Sequence, residues 1–150
     1  MNRLDPAALG RSLDDVLAAA ELMIRDVPEA EMDVLAPDGS GRLRDIAFRL
    51  FRLGLGYADG MDVARLSDDW RHETAPDDLR DGASVARYAA LVRGRLAGWF
   101  EGASPREFTR TIATPDGPRS GRDVLERVCA EAGTQLACLR AARERIGQAS

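Results

Sequence analysis

The side chains with the most unusual setting in this sequence are Glu131 and Gln135. They fall inside a stripe of apolar residues with the 3.6-residue period of a helix that buries one face. That stripe comprises Val124, Val128, Ala132, Leu139, Ala142 and Ile146. Because Glu131 and Gln135 are four residues apart, their side chains point into the same space. A buried carboxylate or amide without a partner is costly, so this face is predicted to carry a polar site.

Other residues capable of chemistry are few. His72 is the single histidine, and Cys129 and Cys138 are the two cysteines. The two cysteines lie on one predicted helix and project from nearly opposite sides. We therefore expect neither a disulfide between them nor a Cys/His zinc site. Free cysteines on a helix are usually small core residues, and we expect His72 to be a solvated loop residue.

Composition narrows the classes of partner. The chain has 150 residues, of which 45% are hydrophobic and 31% charged, and this predicts one globular domain spanning residues 1–150. The net charge of −4 argues against nucleic acid as the main partner. No apolar run reaches the roughly 18 residues of a membrane span, and the N-terminal stretch lacks the pattern of a secretory signal. We therefore expect a cytoplasmic protein with no cofactor and no metal motif.

Four amphipathic segments must position these residues. The first is predicted to begin at an Asp5 cap with Pro6 in the first turn, with a break at Gly10. The fourth is predicted to begin at a Ser120 cap, and the third to end at Gly102 in the left-handed conformation. The four predicted helices cover residues 6–27, about 43–65, about 84–100 and 121–147.

The connections between these segments are polar. A loop over 28–42 contains the turn Pro37–Ser40, and the loop over 66–81 contains Trp70 and His72. Residues 108–114 alternate like a short strand, but no partner strand of comparable strength is evident. In the second helix, Gly54 and Gly56 predict close approach of a neighbouring helix rather than a ligand slot. The pattern as a whole predicts an all-α, antiparallel four-helix bundle with one long crossover.

The sequence resembles the DinB/YfiT-like superfamily of bacterial four-helix bundles. The similar stretches are SLDDVLAAAELMIRDVP, LRDIAFRLFRL, ASVARYAALVRGRLAGWF and GRDVLERVCAEAGTQLACLRAARERIG, which together cover nearly the whole chain. Members of that superfamily typically hold a divalent metal with three histidines. One histidine comes from the second helix, and two that are four residues apart come from the fourth. Several relatives are metal- and thiol-dependent transferases or isomerases that act with low-molecular-weight thiols.

At the positions that match these histidines, this chain has Arg49, Glu131 and Gln135. Arginine is a donor-only cation and cannot bind a metal. A carboxylate and an amide alone make a poor ligand set for a transition metal. The resemblance therefore implies a bundle that is retained and a metal that is lost.

Three interpretations of Arg49, Glu131 and Gln135 remain open. In the first, Arg49 pairs with Glu131 and the residues fill the space left by the metal. In the second, they line a pocket for a small polar or thiol-containing ligand, with Tyr57, Trp70 and His72 as further lining candidates. In the third, Glu131 acts as a general acid or base assisted by Arg49.

The leading hypothesis from the sequence is a metal-independent small-molecule-binding protein with its pocket at the vacated metal position. A metal-independent enzyme that uses Glu131 and Arg49 is the alternative, and a non-catalytic dimeric scaffold is the third option. The sequence also predicts a homodimer, because Phe48, Phe51 and Leu55 lie away from the inner stripe of the second helix.

Overall fold

The predicted all-α four-helix bundle is confirmed. The structure, a computed structural model, describes residues 5–149, with side chains described as far as Ile146. Its long helices are α1 (Pro6–Ile24), α2 (Leu43–Val63), α3 (Gly82–Gly102) and α5 (Gly121–Ala149). Between α3 and α5 lie a short helix α4 (Arg106–Thr109) and two-residue strands β1 (Thr111–Ile112) and β2 (Arg119–Ser120). No helix among the described residues is long and apolar enough to cross a membrane.

Contacts at the helix ends establish two antiparallel pairs. The first residue of α3, Gly82, lies against Ile24 at the end of α1, while Phe100 near the end of α3 lies against Gly10. The first residue of α5 lies against Met61 near the end of α2. Thus α1 runs antiparallel to α3, and α2 runs antiparallel to α5.

Helices α2 and α3, in contrast, run in the same direction. Phe48 stacks on Tyr88 with the ring centroids 5.5 Å apart, and further along both helices Tyr57 stacks on Phe100 at 5.9 Å. Because α2 and α3 are consecutive long helices, residues 64–81 must return along the length of the bundle. The sequence predicts one long crossover without assigning it to a loop. This segment makes such a crossing, and we refer to it below as the crossover.

The start of α1 is as predicted, but the expected break at Gly10 is wrong. The Asp5 carboxylate accepts a hydrogen bond of 2.7 Å from the Ala8 amide and caps the helix. The helix continues through Gly10, where an added Cβ would lie 2.9 Å from the Phe100 ring. The residue at position 10 is therefore a glycine because the Phe100 ring leaves no room for a side chain, and not because the backbone changes conformation there.

The end of α3 and the start of α5 show one wrong and one correct prediction. Gly102 is helical and does not take the left-handed conformation, because α3 ends where Ala103 becomes extended. Ser120 caps α5 as predicted, since its hydroxyl accepts a hydrogen bond from the Asp123 amide at 3.1 Å.

The alternating segment over 108–114 is only partly extended. Phe108 belongs to α4, and β1 pairs with β2, which places Thr111 opposite Ser120 and Ile112 opposite Arg119. A partner strand is therefore present, although the sequence shows none of comparable strength. The partner is two residues long, which is too short to leave an alternating pattern in the sequence.

The apolar residues that suggested a dimer interface on α2 belong to the intramolecular core. Phe48 and Phe51 are buried, and Leu55 is half-buried against the core. Gly54 faces Leu17 and Leu96, where an added Cβ would meet each side chain at 3.2 Å, so the predicted close helix approach is confirmed there. At Gly56 an added Cβ would meet only the Arg52 side chain at 3.6 Å, so this glycine faces open space instead.

Candidate functional site

Arg49 and Glu131 do not pair with each other, and the predicted ion pair is wrong. Arg49 donates from Nε to the Glu73 carbonyl at 2.8 Å and from a terminal nitrogen to the Ser40 carbonyl at 3.3 Å. Glu131 accepts hydrogen bonds from Arg71 at 2.5 Å and Arg127 at 3.2 Å. Both predicted partners therefore turn towards the crossover, which supplies Arg49 with a backbone acceptor and Glu131 with a guanidinium.

Two further side chains of α2 hold the same part of the crossover. Asp45 is 5% exposed, and it accepts hydrogen bonds from the Ala75 amide at 2.9 Å and from Arg42 at 3.0 Å. Arg52 donates to the Glu73 carboxylate at 3.0 Å. Sequence reasoning missed Asp45, although a carboxylate in the apolar run LRDIAF is the kind of signal that marks a buried polar contact.

The residues at the positions of the superfamily's histidines do not fit a metal. Arg49 is a cation that donates to two carbonyl oxygens, and Glu131 lies between two guanidinium groups. Gln135, half-buried on α5, is the only other candidate ligand of the three. Within the part of the chain that the structure describes, no group of three His, Cys, Asp or Glu residues is arranged to hold a metal ion.

The structure does not bring the other predicted ligand-binding residues together. Tyr57 is fully buried beside Trp99, and its hydroxyl has no hydrogen-bond partner among the described residues. Burial raises the pKa of the Tyr57 phenol well above its ordinary value. Trp70 lies on the crossover, 7% exposed beneath the Arg71 guanidinium, and His72 is exposed at the end of the same short turn.

Neither cysteine is an activated nucleophile. The Cys129 thiol donates to the Leu9 carbonyl at 3.3 Å, and burial raises the pKa of this thiol to about 11. Cys138 donates to the Asp38 carboxylate at 3.7 Å, and burial is the main cause of its raised pKa. A protonated thiol is a weak nucleophile, so these side chains act as the small packing residues expected from the sequence.

A large groove lies at the end of the bundle where α1 begins and α3 ends. This end groove has a volume of about 950 Å³ and is walled by α1, α3 and α4. Its apolar lining includes Leu13, Leu96, Phe100 and Phe108, of which the first two are buried and the two rings half-buried. Neither Arg49, Glu131 nor Gln135 lines it.

Charged side chains surround this groove. Of the residues that the structure describes, Asp5, Asp14, Asp15 and Glu101 contribute carboxylates to the lining, and Arg11 contributes a guanidinium. The sequence did not reveal the groove, because its apolar residues have the helical spacing of ordinary core positions. Its walls come from segments about 90 positions apart in the chain.

Two smaller hollows flank the crossover. One of about 210 Å³ is lined by Trp70, Arg52 and Gly56, among others, and accounts for the open space at that glycine. The other, of about 390 Å³, is lined by Leu66, Thr114 and Arg127, among others. Of the residues proposed from the sequence to line a pocket, only Trp70 lines any of the cavities described.

Comparison with known proteins supports the fold. No protein-family model matches the sequence, and no curated protein sequence matches it. The solved structure of YfiT from Bacillus subtilis does match, with a TM-score of 0.77 over 98% of this chain and 92% of that chain, at 13% sequence identity. YfiT is described as a probable metal-dependent hydrolase with an unusual four-helix bundle topology. The resemblance to the DinB/YfiT-like superfamily is thus confirmed as a likeness of fold, and this chain has the YfiT-like four-helix bundle.

Proposed function

We propose that this chain is a metal-independent small-molecule-binding protein of YfiT-like fold, and that its ligand occupies the end groove. The observation that carries the proposal is the groove itself, with about 950 Å³ of volume and an apolar lining that includes two aromatic rings. Ligand sites in proteins are commonly clefts of roughly 300–1,000 Å³ with mostly apolar walls. An apolar lining favours a ligand with an apolar body.

This proposal moves the pocket away from the position suggested by the sequence. A ligand at Arg49 and Glu131 would compete with the hydrogen bonds to Glu73 and Arg71 that hold the crossover. The same contacts argue against the alternative of an enzyme that uses Glu131 and Arg49, since both side chains are already engaged. The cytoplasmic location expected from the sequence stays a prediction.

The test is binding of N-phenyl-1-naphthylamine, an uncharged dye whose fluorescence rises in apolar surroundings. Ala97 is exposed and lines the groove, so Ala97→Phe should fill part of it without disturbing the core. The matched control is Ala90→Phe, an exposed alanine two turns earlier on α3 that does not line the groove. We expect micromolar binding to the original protein and to Ala90→Phe, and binding at least about tenfold weaker to Ala97→Phe.

The result should not depend on added metal. Dialysis against EDTA, or addition of zinc or nickel, is expected to leave the dye affinity unchanged, because the residues at the superfamily's metal position are unsuited to binding metal. Equal binding to both variants, no binding to the original protein, or loss of binding on chelation would each contradict the proposal.

A further inference from the structure

The carboxylates around the end groove differ in whether another protein group already binds them. Asp14 makes two hydrogen bonds to Arg93, at 2.8 and 3.1 Å, and is neutralised by that contact. Asp5 is engaged by the Ala8 amide at the start of α1. Asp15 and Glu101 are exposed and have no ion pair or hydrogen bond to their side chains among the described residues. These two carboxylates are therefore accessible to a ligand, and Asp15 is also close enough to Arg93 to interact with it electrostatically.

These two carboxylates stand on different walls of the groove. Asp15 belongs to α1 and Glu101 to α3, and the Phe100 ring is packed against α1 between the two helices. An apolar body that rests on Phe100 and Phe108 would carry its polar end towards the rim. A positive charge there is attracted by both carboxylates, and aromatic faces attract cations as well.

An anionic ligand is disfavoured at the same place. Among the described residues of the lining, Arg11 is the one guanidinium, against the carboxylates of Asp5, Asp15 and Glu101 and that of Asp14, which Arg93 neutralises. A bound carboxylate or phosphate would therefore face an excess of like charge from these residues. A neutral apolar ligand would be stabilised by contact with Phe100 and Phe108, which form the floor of the groove. It would not be stabilised by the carboxylates of Asp15 and Glu101 at the rim.

From this combination we infer that the end groove selects amphiphilic organic cations, that is, amines with an apolar body. The inference rests on the proposed function, because it needs the groove to be a binding site. Asp15 and Glu101 provide the preference for a positive charge, and the rings of Phe100 and Phe108 bind the apolar body.

The experiment compares octylamine, octanoate and octanol, which share an apolar chain and differ in charge. Each is titrated against bound N-phenyl-1-naphthylamine at low ionic strength, below its aggregation concentration. We expect octylamine to displace the dye at a concentration at least about tenfold lower than octanoate, with octanol between them. Added salt should reduce the difference between the displacing concentrations of octylamine and octanoate, because salt screens the charges of exposed carboxylates.

The matched variants separate local charge from net charge. Asp15→Asn combined with Glu101→Gln should reduce the preference for octylamine to about threefold or less. Asp77→Asn combined with Glu144→Gln changes the net charge equally, at exposed positions outside the groove, and should keep the original preference.

The outcomes distinguish the two proposals. Absence of dye binding to the original protein would overturn the proposed function and this inference together. Dye binding that all three probes displace equally, or that none displaces, would leave the proposed function standing and overturn the inference. A preference for octylamine that persists in Asp15→Asn with Glu101→Gln would also overturn it.

Discussion

At the residue scale, Arg49 and Glu131 belong to separate hydrogen-bond systems. Arg49 donates to backbone carbonyls of Ser40 and Glu73, whereas Glu131 accepts from two arginine side chains. The Arg71 and Glu131 side chains are 38% and 21% exposed, so their attraction is partly screened by water. Because Arg49 and Glu131 share no partner, their contributions to the free energy of unfolding should be independent of each other.

Double-mutant cycles measured by urea denaturation test this independence. Arg49→Met and Glu131→Gln should be additive within about 0.5 kcal/mol. Arg71→Met and Glu131→Gln should couple by about 0.5–1 kcal/mol, the size usual for a partly exposed ion pair. A coupling between Arg49 and Glu131 above about 1.5 kcal/mol would show that the two side chains meet after all.

At the element scale, the crossover is attached to the bundle by polar contacts as well as by buried apolar side chains. Asp45, Arg49 and Arg52 of α2 hold residues 73–75, and Glu131 of α5 holds Arg71. Trp70 is the one large side chain of the turn at Asp69–His72 that is buried. Loss of one α2 contact should therefore loosen the crossover before it unfolds the bundle.

Limited proteolysis with trypsin tests this attachment. Arg71 and Arg80 are exposed cleavage sites in the crossover. In Arg49→Met, cleavage after these residues should become roughly three- to tenfold faster, because a local opening that costs about 1 kcal/mol less is several times more populated. Arg140→Met removes an exposed arginine of α5 and should leave the rate unchanged. Equal cleavage rates in both variants would show that Arg49 does not retain the crossover.

The junction between α1 and α3 supplies a second element-scale prediction. Gly82 donates to the Val27 carbonyl at 2.8 Å, and an added Cβ would lie 1.8 Å from the Ile24 carbonyl oxygen. Gly82→Ala should therefore lower the free energy of unfolding by more than about 2 kcal/mol. Gly94→Ala, in open space on the same helix, should raise it by up to about 1 kcal/mol. Thermal and urea unfolding of the two variants would show whether the close contact, and not glycine itself, is decisive.

At the scale of the whole molecule, the core absorbs nearly all the large apolar side chains that the structure describes. Four stay exposed and lie apart from one another: Leu22 on α1, Leu35 in the loop before α2, Val63 on α2 and Leu91 on α3. Because Phe48 and Phe51 are buried, they cannot form the dimer interface on α2 that the sequence suggested. The homodimer itself stays a prediction. Light scattering at micromolar concentration would test it.

The pH dependence of stability is a further whole-molecule property. All basic residues other than His72 are arginines, so no lysine titrates in the alkaline range. Burial raises the pKa of Cys129 from 9.0 to about 11 and raises the pKa of Tyr57 as well. Above about pH 9 the unfolded chain loses these protons while the folded chain keeps them, so unfolding releases protons and stability falls as pH rises.

Urea denaturation between pH 7 and pH 11 would measure this effect. The free energy of unfolding should be nearly level to about pH 8.5 and then decline. In Cys129→Ala, the free energy of unfolding should fall less steeply over the same pH range than it does in the original protein. An unchanged slope in that variant would show that the thiol is not protected from ionisation in the folded state.

The sequence by itself determined the helices and their assembly into a bundle. Apolar spacing along each segment predicts which face is buried, and this information is local, as are the caps at Asp5 and Ser120. The absence of histidine at the three superfamily positions is also readable from the sequence alone.

Only the tertiary structure decided which polar groups meet. Arg49 bonds to a carbonyl 24 residues away, and Glu131 to a guanidinium 60 residues away. Periodicity places a side chain on a helix face, but the path of the crossover determines what lies opposite that face. The end groove is undetectable in the sequence for the same reason, because its walls meet only when α1 and α3 pack antiparallel.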